Sequence, residues 1–264
     1  MSFPYKHTLL IGATSGIGAA IATKLISSGV KVTAVGRRKD RLDEFVKQHG
    51  ADKASSIVFD IADLEKTPTF AAEALKNFPT IDSLFLNAGM QRNHNFSTPS
   101  DVSLSTFDQE ILTNFTSFVH LTHAFLPTFL AAKDKRGIIF TGSHLSIVPA
   151  SPMPGYSASK AALDAFFVCI RAQLKKTNVE IIHLSPPMVQ SELHDTTMSP
   201  EHGRAMGMPA PQFVEEAYAG LVKGDENIFI GTIPSSSQEQ VLDIAEKRLE
   251  AFERLEGFLE SMSS

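Results

Sequence analysis

Short apolar runs rich in β-branched residues alternate along this chain with longer stretches whose apolar positions recur every three to four residues. The first kind predicts strands at 7–12 (HTLLIG), 31–36 (KVTAVG), 55–60 (SSIVFD), 82–87 (DSLFLN), 137–142 (GIIFTG), 179–184 (VEIIHL) and 227–231 (NIFIG). The second predicts helices near 16–28, 38–49, 63–77, 101–132, 156–176 and 211–223. Strands that are apolar at nearly every position suit a sheet covered on both faces. The expectation is therefore a single α/β domain spanning 1–264, with a doubly wound, seven-stranded parallel sheet and helices on both faces. Ligands of such sheets sit beyond the carboxyl ends of the strands, where the strand order reverses.

Two segments break the alternation. Residues 185–211 carry five prolines and four methionines and fit neither a strand nor one long helix. They are expected to form a lid over a substrate site, with a loose surface loop as the alternative. The other is a C-terminal helical extension at 236–261, where Val241, Ala245, Leu249, Phe252, Leu255, Leu259 and Met262 mark an apolar stripe. That stripe docks either on its own domain or on a second subunit.

Composition narrows the partners. With 43 % hydrophobic residues over 264 positions the chain can bury a sizeable core, and a formal net charge of −5 gives no global reason to expect nucleic acid or an anionic membrane. No uncharged apolar run approaches the roughly 18 residues of a membrane span. The start of the chain does not read as a signal peptide, and with one cysteine no intrachain disulfide can form, so a cytoplasmic location is expected. Cys169, in the apolar stretch AFFVCIRA, is expected in the core. His120 and His123, three apart, lack a third ligand, and no metal is expected.

The chemistry lies at the strand ends. After the first strand, Gly12, Thr14, Ser15, Gly16, Ile17 and Gly18 form a glycine-rich turn into a helix, where small residues let the backbone approach a pyrophosphate and free N–H groups attract it. At the end of the second strand Gly36 stands where an NAD site offers a carboxylate, and Arg37 and Arg38 follow. Guanidinium groups there favour the 2′-phosphate of NADP(H), making NAD the less expected cofactor. Tyr156 and Lys160, four apart, share one face of a predicted helix. A free tyrosine, with a pKa near ~10, needs help to exchange a proton at neutrality, and a nearby ammonium would favour its phenolate. Ser143, at the carboxyl end of the fifth strand, is placed to donate to an oxygen on which negative charge develops.

These motifs in order, Gly12-x3-Gly16-Ile17-Gly18, Phe59-Asp60 with Ile61, Asn87-Ala88-Gly89, Asn114, Ser143 and Tyr156-x3-Lys160, resemble the short-chain dehydrogenase/reductase family in its single-domain branch, over about residues 5–232. The resemblance implies a Rossmann-type fold, a nicotinamide cofactor and hydride exchange between a carbonyl and an alcohol. It implies that Asp60 and Ile61 flank the adenine, that Asn87 supports the cleft with Ala88 and Gly89 beside it, and that Lys160 bonds the nicotinamide ribose. Asn114 would hold a water that relays protons to Lys160. Pro186, Val189 and Ser191 would touch the nicotinamide end and a phosphate, although Pro187 stands where the family commonly has glycine.

Ser143, Leu145, Met153, Tyr156, Met188 and His194 are the expected substrate contacts, with His94 and His144 as further polar ones. The reading is an NADP(H)-dependent carbonyl reductase or alcohol dehydrogenase acting on a neutral, largely apolar small molecule. Its rivals are a non-catalytic NADP-binding regulatory or interaction protein, and an imine reductase, enoyl reductase or epimerase on the same scaffold. A serine hydrolase is disfavoured because no G-x-S-x-G is present. Family likeness suggests a homodimer or homotetramer, with the helix around 161–174 as one interface.

Overall fold

The computed structural model describes residues 2–263. Its strands are β1 (His7–Ile11), β2 (Lys31–Gly36), β3 (Ala54–Val58), β4 (Ser83–Leu86), β5 (Arg136–Thr141), β6 (Val179–Ser185) and β7 (Asn227–Phe229). All pair in parallel, in the order β3-β2-β1-β4-β5-β6-β7. The order reverses between β1 and β4, so the crevice between their carboxyl ends is the natural place for a ligand.

Period-two alternation explains the three layers. Leu10, Phe85, Ile139, Ile182 and Leu184 pack on one face with Ile21 and Leu25 of α1 (Gly16–Ser27), Leu42 and Phe45 of α2 (Lys39–His49), and Phe213 and Leu221 of a later helix, Ala210–Lys223. Their neighbours Leu9, Ile11, Leu84, Leu86, Ile138 and Phe140 pack on the other face, against Phe70 and Ala74 of α3 (Thr67–Asn77) and against two longer helices described next. Both faces are thus dry, as the near-continuous apolar strands require.

The helix expected at 101–132 is interrupted. It comprises α4 (Leu104–Ile111), a π-turn at Leu112–Thr116 and α5 (Ser117–Leu130). Asn114 lies in the π-turn, fully buried, and its carboxamide binds main-chain groups outside the helix. A polar side chain that must reach sideways from a buried helix face favours such an extra residue per turn. The following helix, α6 (Pro154–Leu174), supplies Leu163 and Phe167 to the same face, yet Cys169 on it is exposed, correcting its expected place in the core. AFFVCIRA is apolar nearly all round, so periodicity did not reveal which side faces solvent.

Segment 185–211 is more ordered than its composition suggests. It holds a 3-10 turn at Glu192–Thr196 and α7 (Pro200–Ala205), and Met188 and Met208 are tied by a Met208 N–H donating to Met188 O at 2.8 Å. After α8 (Ala210–Lys223), the last helix, α9 (Gln238–Ser263), docks by its first turn, where Val241 is buried, and by ion pairs from Arg248 to Asp164 and from Lys175 to Glu260. Leu255 and Met262 at the far end of the expected stripe stay exposed, as does Phe258 beside it, whereas Ala245, Leu249 and Phe252 are half-buried.

Gly18 shows how tightly α1 meets the sheet. A Cβ there would lie 2.1 Å from the Gly12 carbonyl oxygen and 2.5 Å from Asn87 Nδ2. Gly18→Ala gains up to about 1 kcal/mol of helix propensity but forces backbone apart. The overlap is expected to dominate, with a net loss of about 2 kcal/mol in urea unfolding. Unchanged or increased stability would show that α1 can slide.

Candidate active site

One cleft of about 760 Å³ opens at the carboxyl ends of β1, β4, β5 and β6. It is lined by Gly12, Thr14, Ser15, Gly16, Ile17, Arg37, Arg38, Asp60 and Ile61 towards one end, and by Ser143, Leu145, Met153, Tyr156 and Lys160 towards the other. Asn87, Ala88, Gly89, Pro186, Met188, Val189 and Ser191 line it as well. The sequence thus located most of its wall. Gly18 and Asn114 stand behind that wall: Gly18 lets α1 approach β1, and Asn114 is buried beneath residues 88–90.

The glycine turn fits an anion. Gly12 has φ +83°, and a Cβ on it would press within 2.6 Å of the Ala88 backbone. No side chain caps α1, and its first turn carries no carboxylate, so its free N–H groups face the cleft without an internal competitor. Asn87 holds the strand ends together: its Nδ2 donates to Gly12 O at 3.3 Å and its Oδ1 accepts from Thr141 Oγ1 at 3.1 Å.

Around the adenosine end the two expected arginines differ. Arg37 is three-quarters exposed and lies 3.7 Å from Asp60, which itself accepts a hydrogen bond from Ala62 N. Arg38 is already engaged, donating to Thr14 Oγ1, to Ser15 Oγ at 2.7 Å and to Glu192 at 2.8 Å. Arg41 joins it on Glu192 at 2.7 Å. Neither Arg41 nor Glu192 was singled out by sequence. An Arg-x-x-Arg step on a helix start was a usable signal, whereas Glu192 lies 154 positions from Arg38.

At the opposite end Tyr156, Ser143 and Lys160 converge. Tyr156 is buried, and burial pushes its phenol up to about 12, with the Glu110 carboxylate adding to the rise and a hydrogen bond with Ser143 opposing it. Ser143 Oγ accepts from Leu145 N at 3.2 Å. Lys160 donates to Thr141 O at 2.8 Å, lies 5.7 Å from the Tyr156 ring centre, and is held down to about 8 by burial. The expectation of a tyrosine depressed by its lysine is therefore corrected for the free protein: burial, with the Glu110 carboxylate, outweighs the Ser143 hydrogen bond, and Tyr156 keeps its proton at neutral pH.

Asn114 stands behind the cleft wall with its carboxamide fully engaged. Its Nδ2 donates to Met90 O at 2.9 Å and to Ser159 Oγ at 3.0 Å, and its Oδ1 accepts from Met90 N at 2.9 Å. Ser159 in turn donates to Tyr156 O. Both side-chain N–H groups are spent on positioning, so this carboxamide braces the cleft floor against α6.

The histidines expected as polar substrate contacts are all committed elsewhere. His94 Nε2 lies 2.7 Å from Glu110 Oε2 in a buried pair, and Glu110 Oε1 accepts from Arg92 N. His144 donates from Nε2 to Ile230 O and accepts at Nδ1 from Ser185 Oγ. His194 lines the cleft, yet its Nε2 donates to Val189 O at 3.0 Å and its Nδ1 accepts from Gln91 Nε2 at 2.9 Å. Burial lowers the His194 pKa, which keeps this neutral tautomer in place. His194 thus fastens segment 192–198 to the loop after β4, with Thr196 Oγ1 donating to Gln91 O and Gln91 Nε2 donating to Thr197 Oγ1. Sequence reasoning missed Glu110 and Gln91, polar residues made important by folding alone. It also missed Ile233 and Pro234, which reach the cleft from beyond β7.

Comparison with known proteins accords with this geometry. The short chain dehydrogenase family matches residues 6–202, and the chain belongs to it. With that family it is an NAD(P)-dependent oxidoreductase of small carbonyl or alcohol compounds. Among similar proteins are the uncharacterized oxidoreductase DltE of Bacillus subtilis (strain 168), 31 % identical over 228 residues, covering 86 % of this chain and 89 % of that protein. Serine 3-dehydrogenase of Rhizobium radiobacter is 32 % identical over 188 residues, covering 70 % and 72 %. A Burkholderia phymatum short chain dehydrogenase/reductase solved with NAD superposes with a TM-score of 0.80 at 19 % identity, covering 97 % and 96 %. The closed form of serine dehydrogenase complexed with NADP+ superposes with a TM-score of 0.71 at 26 % identity, covering 79 % and 86 %.

Proposed function

We propose that this chain is an NADPH-dependent reductase of a neutral, largely apolar ketone or aldehyde, with Tyr156 as the proton donor. The observation that carries the proposal is the buried Ser143–Tyr156–Lys160 group at the cleft wall, with the proton held on Tyr156 at neutral pH as reduction requires. A bound nicotinamide supplies the hydride to the carbonyl carbon. Ser143 donates a hydrogen bond to the carbonyl oxygen, and Tyr156 passes its phenolic proton to that oxygen as the C–O bond becomes single. The residual phenolate sits beside the Lys160 ammonium, which balances its charge. Lys160 spends one N–H on Thr141 O, and its others are available to a ribose hydroxyl.

Met90, Leu145, Met153, Met188, Leu193 and Met198 line the substrate side of the cleft and support an apolar, adaptable pocket under the proposed lid at 185–211. The exposed Leu255, Phe258 and Met262 at the far end of α9 support a homo-oligomer, dimer or tetramer, and a cytoplasmic setting suits a cofactor supplied there in reduced form.

For the cofactor, Arg37 is largely exposed at the adenosine end with only a loose 3.7 Å pairing to Asp60, and a related serine dehydrogenase was solved with NADP+. Calorimetric titration is expected to give NADPH an affinity about tenfold or more above NADH, the difference one charge-assisted phosphate site can supply. Tighter NADH binding would overturn the NADP assignment.

A further inference from the structure

We propose that Glu192 is an internal competitor of the 2′-phosphate, a carboxylate from the proposed lid that occupies the arginine pair of the adenosine end and sets how strongly the chain prefers a 2′-phosphate over a 2′-hydroxyl. The inference rests on the NADP reading above, and its test separates the two.

The donors of the arginine pair are nearly used up. Arg38 directs Nε and Nη2 to Thr14 Oγ1 at 3.2 and 2.8 Å, the second Nη2 donor to Ser15 Oγ, and one Nη1 donor to Glu192 Oε2. Four of its five N–H groups are thereby committed. Arg41 Nη1 contacts Glu192 Oε1 at 2.7 Å and Oε2 at 3.0 Å, with Thr14 O at 3.3 Å. An arriving phosphate therefore meets partners already in place. The hydroxyls of Thr14 and Ser15 can turn and donate to it, because a hydroxyl both gives and accepts. Glu192 cannot, because it is an anion held ionised by the two guanidinium groups, Arg38 foremost. It must leave the arginines or repel the newcomer.

Charge gives the same answer. Arg37, Arg38 and Arg41 stand against Asp60 and Glu192, three positive charges against two negative, leaving one net cation for a phosphate that carries close to two negative charges. Removing the Glu192 charge doubles that net charge. Arg38, Arg41 and Glu192 are each about two-fifths exposed, so water can replace a displaced carboxylate at little cost. Glu192 also opens the turn Glu192–Thr196, whose far end is tied to Gln91 through Thr196. A phosphate that displaces Glu192 thus releases the arginine fastening of the segment beside the substrate side of the cleft, while His194, Thr196 and Thr197 keep their bonds to Gln91.

Adenosine 2′,5′-bisphosphate and adenosine 5′-monophosphate, which differ by the 2′-phosphate, provide the test. In titration calorimetry Glu192→Gln is expected to bind the bisphosphate about fivefold or more tightly than wild type, the gain attenuated by solvent around a half-exposed site, with the monophosphate unchanged within about twofold. Glu192→Ala should move in the same direction, and matching melting temperatures verify that both variants fold. Weaker bisphosphate binding in both variants would show that Glu192 orients the arginines for the phosphate. Equal changes for both nucleotides would remove its role in discrimination; either result overturns the proposal. The NADP reading is tested by wild type alone: if it prefers the monophosphate while Glu192→Gln prefers the bisphosphate, that reading falls and the competitor role of Glu192 stands.

Discussion

Tyr156→Phe is expected to lower kcat for carbonyl reduction by about 10³-fold while leaving NADPH affinity within about threefold of wild type. The substitution deletes the phenolic hydroxyl and its proton and keeps the ring that packs near Lys160. Ser143 then remains as the donor to the substrate oxygen, which polarises the carbonyl but leaves no acid to complete the transfer. Because Ser143 also hydrogen-bonds Leu145 N, the cleft wall should hold its shape, and the melting temperature should shift by only a few degrees. A Tyr156→Phe protein retaining a tenth or more of wild-type kcat would place the proton donor elsewhere.

Lys160→Met is expected to make the protein more stable and nearly inactive. A lysine whose folded pKa is about 8, below its ordinary 10.5, carries a folding penalty wherever the ammonium persists. The unfolded chain binds the extra proton between those values, so stability rises with pH across that window, and below about 8 the penalty is present in full. Its ceiling is about 3 kcal/mol, and leaving Thr141 O without its donor returns about 1 kcal/mol of it. Net stabilisation at neutral pH is therefore about 1–2 kcal/mol by urea unfolding, shrinking towards pH 10. Wild-type kcat/KM for NADPH, which reports the free enzyme, should fall above about pH 8 as the ammonium is lost, while Tyr156 stays protonated until about 12. A variant less stable than wild type at neutral pH would mean that the ammonium has more partners than Thr141 and the adjacent rings.

The legible parts of this molecule were those written locally. The seven strands emerged because β-branched runs interrupted by helical spacing leave few other packings, and observed boundaries moved by two residues or fewer. The glycine turn, Asn87, Ser143 and the Tyr156–Lys160 pair emerged because each sits at a strand end or on one helix face. What stayed hidden depends on residues distant in sequence. Glu192 meets Arg38 and Arg41 only after segment 185–211 folds back over the glycine turn. His94 finds Glu110, and His194 finds Gln91, so histidines that looked like free polar contacts were consumed by the scaffold. The direction of the Tyr156 shift stayed hidden for the same reason: spacing reveals proximity, whereas burial, which decides the sign, belongs to the tertiary fold.

Hydride transfer from NADPH to a carbonyl is tested most directly by following NADPH oxidation by the purified protein against neutral ketones and aldehydes, with imines and charged carbonyl acids in parallel. Turnover of at least one neutral, apolar carbonyl is expected, with the matching alcohol recovered as product. Binding of NADPH with no oxidation by any carbonyl, or oxidation by imines alone, would contradict it.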